Sequence, residues 1–480
     1  MFVQVPRVLI AATASDVGKT TIVCGLLRAF ARRGLRLRAC KCGPDYLDPQ
    51  FHRGVLGVPS HNLDLFLSDE AQVRALVAQG KDADLTIIEG AMGYYDGIAQ
   101  SHDASAYDVA RVTSTPVVLV VDARGRSLSV AAEVAGFARF REPSFVAGVI
   151  LNRASAGYAP TLKAMIEEQT GVPVLGYVPQ LEDVRLERRH LGLVAADEVA
   201  GLRHKIDMLA NAMQATVNMD ALAALARGAV PLEATTLPSG PNGPEANRPS
   251  MTDRPTIAVA RDEAFSFYYE ETFEALERLG ARLAFFSPLR DKDLPVGARG
   301  LYIGGGYPEL HARELSENGA MLKAVREAIA GGMPTVAECG GFLYLHRELE
   351  DADGASWPMV GTLPGRAYRT DRLTRFGYVT LTARRDGLLA RAKESLPAHE
   401  FHYWESERPG EAFYARKPQS TRGWDCVVST PTLYAGFPHL YLAGRPQVAR
   451  RFVEACASFG ARSRGAASHA TPCVDPSKAH

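Results

Sequence analysis

The residues with the clearest chemistry stand near the amino end, in Thr13-Ala14-Ser15-Asp16-Val17-Gly18-Lys19-Thr20. The apolar run Val8-Leu9-Ile10-Ala11-Ala12 precedes them. Thr21 follows, then Ile22, Val23, Leu26, Leu27 and Phe30 at the spacing of a helix face. Strand, loop and helix in that order are the setting in which such a loop binds phosphate. Its backbone N–H groups and the helix N-terminus would face the anion. Lys19 would bring a point charge to the β- and γ-phosphates, and the Thr20 hydroxyl would ligate Mg²⁺. The loop departs from the usual Gly-x-x-x-x-Gly-Lys-Ser/Thr pattern at its first position, where Thr13 replaces glycine. The competing reading is a glycine turn into an ordinary helix.

Three further clusters suit the same chemistry. Lys41-Cys42-Gly43-Pro44-Asp45-Tyr46-Leu47-Asp48-Pro49 follows an expected strand over Leu35–Cys40. Asp45 or Asp48 would hold Mg²⁺ directly or through water, and Lys41 would neutralise a transferring phosphoryl group. A polar turn is the alternative, since Gly-Pro-Asp makes one easily. Glu89 follows Leu85-Thr86-Ile87-Ile88, where NTPases keep a Mg²⁺-orienting acid, and Gly90-Ala91-Met92-Gly93-Tyr94-Tyr95-Asp96-Gly97 follows it. There the glycines permit close backbone approach, Asp96 would orient substrate, and Tyr94 and Tyr95 are either core or a flat surface for a large ring. The alternative is a Gly-rich turn with a capping Asp. Asn152, ending another strand, would offer an adenine edge a donor and an acceptor, or simply form a turn.

A different chemistry stands in the second half. Pro334-Thr335-Val336-Ala337-Glu338-Cys339-Gly340-Gly341 puts a cysteine at a sharp strand-to-helix junction, an elbow that exposes a nucleophile. The helix N-terminus would lower its pKa. Backbone N–H groups of Gly340 and around Gly305 and Gly306 would stabilise an oxyanion. His399, His402 and His439 are the downstream candidates for a base, and each also reads as an ordinary core or surface histidine. A buried thiol in a tight turn is the alternative for Cys339.

The elements that must position these groups alternate. Short continuous apolar runs at Val8–Ala12, Leu85–Ile88, Pro116–Val121 and Val146–Leu151 read as strands buried on both faces. Helical patterns at Asp69–Ala78, Ser105–Val112, Ser129–Phe140 and Ala159–Gln169 fall between or after them. The fold class expected is α/β, a doubly wound, mainly parallel sheet of the P-loop NTPase kind, with ligands at the carboxyl ends of the strands. Glu198–Met213 and Met219–Ala226 read as helices. Residues 228–254 then form a linker, rich in proline and poor in apolar pairs. A second α/β pattern starts at Thr256–Ala260. The divisions expected are 1–227, the linker 228–254, 255–460 and a disordered tail over 461–480.

Lys+Arg and Asp+Glu both number 54, so no global charge argues for nucleic acid or an anionic membrane as partner. The seven cysteines include no Cys-x-x-Cys pair, which favours reduced buried thiols over zinc and a cytoplasmic location. The apolar amino end reads as a strand entering the loop rather than a signal peptide. No apolar run approaches ~20 residues, so no membrane span is expected.

Together these stretches resemble the cobyrinic/hydrogenobyrinic acid a,c-diamide synthase family, over roughly Val8 to Cys456. The resemblance rests on Ala11–Thr20, Gly43–Pro49, His61-Asn62-Leu63-Asp64, Glu89–Gly93, Glu187-Arg188-Arg189-His190-Leu191-Gly192-Leu193 and Ala337–Gly341. The first half also resembles dethiobiotin synthetase, and the second a class I glutamine amidotransferase. The resemblance implies that Cys339 releases ammonia from glutamine through a thioester while the other half uses ATP and Mg²⁺ to phosphorylate a carboxylate. Ammonia then displaces phosphate, and repetition at the a and c acetates of a corrin, in cobalamin biosynthesis, gives the diamide. It implies nucleotide contacts from Thr13, Asp16, Val17, Gly18, Lys19, Thr20, Thr21, Lys41 and, loosely, Asn152. It places Asp45, Asp48 and Glu89 near metal and phosphoryl group, with Thr20, Asp48 and Glu89 as Mg²⁺ ligands. Tyr46, Leu47 and Asp96 would face the tetrapyrrole, and His439 would be the base. Many amidotransferases carry a Glu two residues after that histidine; here the position is Tyr441, so the group that orients His439 is unassigned. Oligomeric state stays open, with a homodimer among the outcomes.

Two other readings compete. One changes the macrocycle to a nickel or other sirohydrochlorin. The other is a partition or scaffold ATPase carrying an inactive amidotransferase module, which the Asp45–Asp48 cluster and the intact elbow oppose.

Overall fold

A computed structural model describes residues 2–181, 196–233 and 254–468. The chain forms two compact units, one of residues 1–238 with Tyr269–Glu271 and one of the remainder. The Glu187–Leu193 motif lies outside the described residues.

The first unit is built on seven parallel strands: β1 (Arg7–Ala12), β2 (Leu37–Cys42), β3 (Ser60–Leu63), β4 (Leu85–Glu89), β5 (Val117–Asp122), β6 (Val146–Asn152) and β7 (Val174–Val178). Their order is β3-β2-β4-β1-β5-β6-β7. β1 is central and fully buried along its length, which is why its sequence is apolar without alternation. Helix α1 (Lys19–Arg32) leaves β1 through the loop. Two other helices begin where short polar side chains cap them: Asp69 accepts from the Gln72 N–H at 2.8 Å and Ser105 from the Asp108 N–H at 3.2 Å. Each such cap is worth about 1 kcal/mol.

Several strands differ from the sequence expectation, Val174–Val178 among them, which the sequence reading did not mark. β2 runs two residues later than Leu35–Cys40: the chain turns at Gly34 (φ 80°), and Leu35 and Arg36 lie outside the ladder, with the Arg36 side chain held by Asp84. Lys41 is therefore inside a strand. β3 was not expected, since Ser-His-Asn-Leu has no apolar pattern; it is an edge strand, paired among the described residues with β2 alone. Beyond the helix Met219–Arg227, Leu232–Glu233 pairs antiparallel with Phe2–Val3, inside the stretch expected to be linker.

In the second unit β9 (Arg282–Phe286), β8 (Thr256–Ala260), β10 (Ala298–Ile303), β11 (Thr335–Glu338) and β14 (Leu433–Gly436) pair in that order, all parallel. β13 (Val428–Ser429) closes the edge antiparallel to β14. A four-stranded sheet and a five-stranded sheet, absent from the sequence reading, follow between Ser356 and Leu440 and around His346–Glu350. The five-stranded sheet includes β12 (Ser395–His402) paired antiparallel with β15 (His439–Leu440). The last helix runs Pro446–Ser468, into the stretch expected to be a disordered tail. No helix among the described residues is long and apolar enough to cross a membrane.

Candidate active sites

The loop between β1 and α1 turns back through two residues of positive φ, Asp16 at 61° and Gly18 at 96°. Gly18 stands at the helix N-cap with no side-chain cap beside it, so the first N–H groups of α1 face the loop's hollow. Asn152, at the end of β6, grips the loop: its Nδ2 donates to the Val17 carbonyl at 2.6 Å and its Oδ1 accepts from the Arg153 N–H at 3.0 Å. A Cβ at Gly18 would collide with that Nδ2. Asn152 thus holds the loop in shape. Lys19 is buried and donates to the Met92 carbonyl at 2.8 Å.

Register then brings the charged groups together. Lys41 on β2 stands directly opposite Glu89 on β4, and the last residues of both strands reach the same end of the sheet as the loop. Lys41 Nζ lies 2.8 Å from Glu89 Oε1, 2.5 Å from Asp48 Oδ2 and 3.9 Å from Asp45 Oδ2. The Thr20 hydroxyl donates to Glu89 Oε1 at 2.6 Å. Asp48 sits in the first turn of α2 (Leu47–Gly54), and its own N–H is accepted by Asp45 Oδ1 at 3.0 Å. On the edge strand, Asn62 Nδ2 donates to the carbonyls of Gly43 and Asp45, fixing the turn that carries both aspartates.

Burial opposes charge throughout this cluster, and pairing decides which groups keep it. Asp48 is pushed up to about 8 by burial, then by Asp45 and Glu89. Burial also works against Glu89, but Lys41 and His52 outweigh it and hold its carboxyl well below the usual range. Burial likewise works against Lys41, which Asp48, Glu89 and Asp45 keep protonated. His52 was missed in the sequence. It is fully buried, with Nε2 3.5 Å from Glu89 Oε2 and Nδ1 3.1 Å from Ser60 Oγ. Its spacing of four from Asp48, one face of a helix, was the available signal.

No three His, Cys, Asp or Glu side chains among the described residues converge as a metal cage. Mg²⁺ with nucleotide asks for less: one or two carboxylates, with phosphate oxygens and water completing the shell. The Thr20 hydroxyl, Glu89 and Asp48 supply hard oxygens of that kind beside the loop, so the residues fit the ion.

The remaining expected residues are more scattered. Tyr46 precedes α2, Leu47 begins it, and both are half-buried. Asp96 is exposed, and its Oδ2 accepts from the Gly93 N–H at 2.9 Å. Tyr94 and Tyr95 are core rather than a platform: their hydroxyls donate to the carbonyls of Ser144 and Phe137, and their rings pack on Tyr107.

In the second unit Cys339 ends β11 with φ 49° and ψ −102°, a conformation strained for any residue but glycine. The elbow is held by Cys339 N–H on the Gly436 carbonyl and Gly341 N–H on the Gly304 carbonyl, at 2.8 and 2.9 Å. The backbones of Gly340 and Gly305–Gly306 approach so closely that a Cβ on Gly340 would lie 3.0 Å from the Gly306 nitrogen. The glycines expected to supply oxyanion donors thus lie against one another at the elbow. A Cβ on Gly305 would collide with the His439 ring, which places that imidazole against the same strand end.

The thiol is less open than expected. Cys339 is 7% exposed, its Sγ lies 4.0 Å from the Phe401 carbonyl on β12, and burial, then Glu309, pushes it up rather than down. The helix that follows, α3 (Gly340–Tyr344), has only five residues, too few for its dipole to offset that burial. His439 moves the other way, down to about 3, through burial and then His399 and His402. Both shifts favour the uncharged forms, thiol at Cys339 and neutral imidazole at His439. His402 stacks flat on Phe437 at 3.8 Å and bonds the Trp404 carbonyl through Nδ1, and His399 stands across the strand pair from His439. The six described cysteines are all free and buried.

One unit carries a nucleotide-type loop backed by buried carboxylates and the other a thiol elbow with a buried histidine at the same strand end, the two parts that a glutamine-dependent amidating ligase needs. Residues 8–194 match the CobQ/CobB/MinD/ParA nucleotide binding domain, and residues 256–447 match the CobB/CobQ-like glutamine amidotransferase domain. A cobyrinate a,c-diamide synthase of Caldanaerobacter subterraneus subsp. tengcongensis is 37% identical, over 94% of this chain and 98% of its own. Another protein of that name, from Salmonella typhimurium, is 39% identical over 93% of this chain and 97% of its own. The solved PurLQS structure from Thermotoga maritima covers 43% of this chain and 99% of its own at 13% identity, with a TM-score of 0.31. The chain belongs to the cobyrinate a,c-diamide synthase family.

Proposed function

We propose that this protein amidates the a and c acetate side chains of cobyrinate or hydrogenobyrinate, using ATP and glutamine. The observation that carries the reading is the pairing of both sites in one chain, matched nearly end to end by relatives of that name. A carboxylate is a poor electrophile at neutral pH, so it needs a leaving group. In the first unit a substrate carboxylate oxygen attacks the γ-phosphorus of ATP. The bond from that phosphorus to the β-phosphate bridging oxygen breaks, ADP leaves, and an acyl phosphate forms. Lys19 and Lys41 face the charge on the transferring group. Mg²⁺ at Thr20, Asp48 and Glu89 would neutralise phosphate charge when bound. Tyr46, Leu47 and Asp96 contact the macrocycle. In the second unit Cys339 Sγ attacks the glutamine amide carbon while His439 takes the thiol proton and passes it to the departing ammonia. Water hydrolyses the thioester to glutamate. Ammonia then attacks the acyl phosphate carbon, phosphate leaves, and the amide remains.

The test is to incubate the protein with ATP, Mg²⁺, glutamine and each candidate tetrapyrrole and to weigh the products. Cobyrinate or hydrogenobyrinate should show two successive small losses, each the difference between a hydroxyl and an amino group. Conversion of a nickel sirohydrochlorin alone would transfer the reading to that macrocycle, and ATP turnover indifferent to every tetrapyrrole would overturn it.

A further inference from the structure

The position two residues past His439 is Tyr441, which leaves the imidazole without the acid that usually stands there. The structure brings another acid to it from a different strand. Glu338 is the last residue of β11, immediately before the nucleophile, and is 1% exposed. Its Oε1 accepts from the Leu440 N–H at 2.9 Å, and its Oε2 accepts from the Tyr302 hydroxyl at 3.0 Å. The same Oε2 lies 3.9 Å from His439 Nδ1. The Leu440 bond fixes the backbone of the residue next to His439, so the carboxylate and the ring cannot drift apart independently. The opposite, Cε1–Nε2 edge of the ring is the one turned to Gly305.

We propose that Glu338 is the positioning residue of His439, presenting its carboxylate to Nδ1 in place of an acid two residues after the histidine. The inference rests on the glutaminase reading of Cys339 and names the group that reading lacks. When Sγ gives up its proton to the Nε2 edge, His439 becomes an imidazolium only 3% exposed. Glu338 Oε2, 3.9 Å from its Nδ1, is placed to compensate that charge. Geometry ties the same group to the backbone of Leu440, so orientation and charge compensation come from one side chain.

Burial pushes Glu338 up to about 8, against the opposing bonds from the Leu440 N–H and the Tyr302 hydroxyl. The groups facing it are Tyr302 on β10, Tyr434 on β14, Tyr268 before the first helix of this unit, and Cys339 and His439 themselves. Glu309, Glu400, His399 and His402 face the sulfur or the imidazole. As Glu338 is the acid that must be ionised to act, glutamine-driven turnover should rise as pH increases through about 8.

The experiment measures glutamate release and product amidation by the full chain, with glutamine and with ammonium salts, across pH 6–10. Wild type showing glutaminase activity and Cys339→Ala showing none establishes the site reading separately. Glu338→Gln keeps the oxygen facing Leu440 and removes the charge. It should lower glutamine-driven kcat about 10- to 100-fold, with KM for glutamine unchanged, the ammonium-driven rate retained, and the limb near pH 8 lost. Glu338→Asp should recover part of the rate. Tyr302→Phe removes the hydroxyl that favours the carboxylate form, so it should move the limb upward by about half a unit; this measurement stands even where Glu338→Gln does not fold. A Glu338→Gln chain with its glutamine-driven kcat within about twofold of wild type would overturn the proposal. So would parallel loss with both nitrogen sources in a Glu338→Gln chain that melts as wild type does, or a limb unmoved in Tyr302→Phe.

Discussion

Replacing Lys41 with methionine tests whether the first unit is held by the charges it uses. Methionine keeps the length of the side chain and removes the ammonium that sits between Glu89 and Asp48, at 2.8 and 2.5 Å. Removing one partner of a buried ion pair costs about 3–5 kcal/mol, because an uncompensated charge is left behind. The loss here falls near the lower end, about 3 kcal/mol, because Asp48, already raised to about 8, can take up a proton instead of standing unpaired. Glu89 then keeps the Thr20 hydroxyl and His52 against full burial. For a domain of about 150–250 residues each kcal/mol moves the melting temperature by about 2–4 °C, so the first unit should melt roughly 6–12 °C lower at pH 7. The sign with pH follows from Glu89. Its folded-state pKa lies below the ordinary 4.5, so its contribution is complete above that value and is lost as pH falls below it. The gap between wild type and variant should therefore narrow below about pH 4.5. Calorimetry at both pH values, with ATP-dependent amidation beside it, reads both effects. A Lys41→Met protein melting within about 2 °C of wild type at pH 7 would refute the reasoning.

Asn152→Ala removes one neutral hydrogen bond from the loop, worth about 1 kcal/mol, and should weaken nucleotide binding about fivefold; a clasp affects ATP and GTP alike, whereas an adenine reader would lose only ATP, and competition titrations separate the two. Asp48→Asn should abolish amidation with either nitrogen source. Because its folded pKa is raised, Asp48 costs the wild type stability as pH rises from about 4 toward 8. The melting temperature of the Asn variant relative to wild type should therefore climb over that interval, and a flat difference would contradict the assignment. Gly305→Ala drives a methyl into the His439 ring and should cut glutamine-driven turnover at least ~10-fold, as expected for a small displacement of a catalytic group, while ammonium-driven turnover persists.

The elements built on local pattern were legible in the sequence, and those built on pairing were not. Continuous apolar runs marked the central strands, and Asp69 and Ser105 marked helix starts within a residue of where they occur. Gly18-Lys19-Thr20 announced its loop through the strand and helix around it. The sequence pattern ends the strand before Lys41, because a charge in a buried strand is tolerable only opposite a partner, and register with Glu89 is a long-range fact. Ser60–Leu63 had no periodicity to show, being an edge strand whose stability comes from β2 and from Asn62 gripping the Gly43–Asp45 turn. Asn152 was readable as a polar strand end, but only the fold reveals that its amide bonds the Val17 carbonyl. At the elbow, the glycines and the cysteine were plain, while the cover supplied by β12 lies sixty residues downstream and reverses the expected direction of the thiol's pKa.

The division of labour between the two units is tested most directly by Cys339→Ala, assayed for amidated tetrapyrrole with glutamine and, separately, with ammonium salts. Amidation should vanish with glutamine and continue with ammonium at the wild-type rate. Equal loss with both nitrogen sources would contradict two separate sites in one chain.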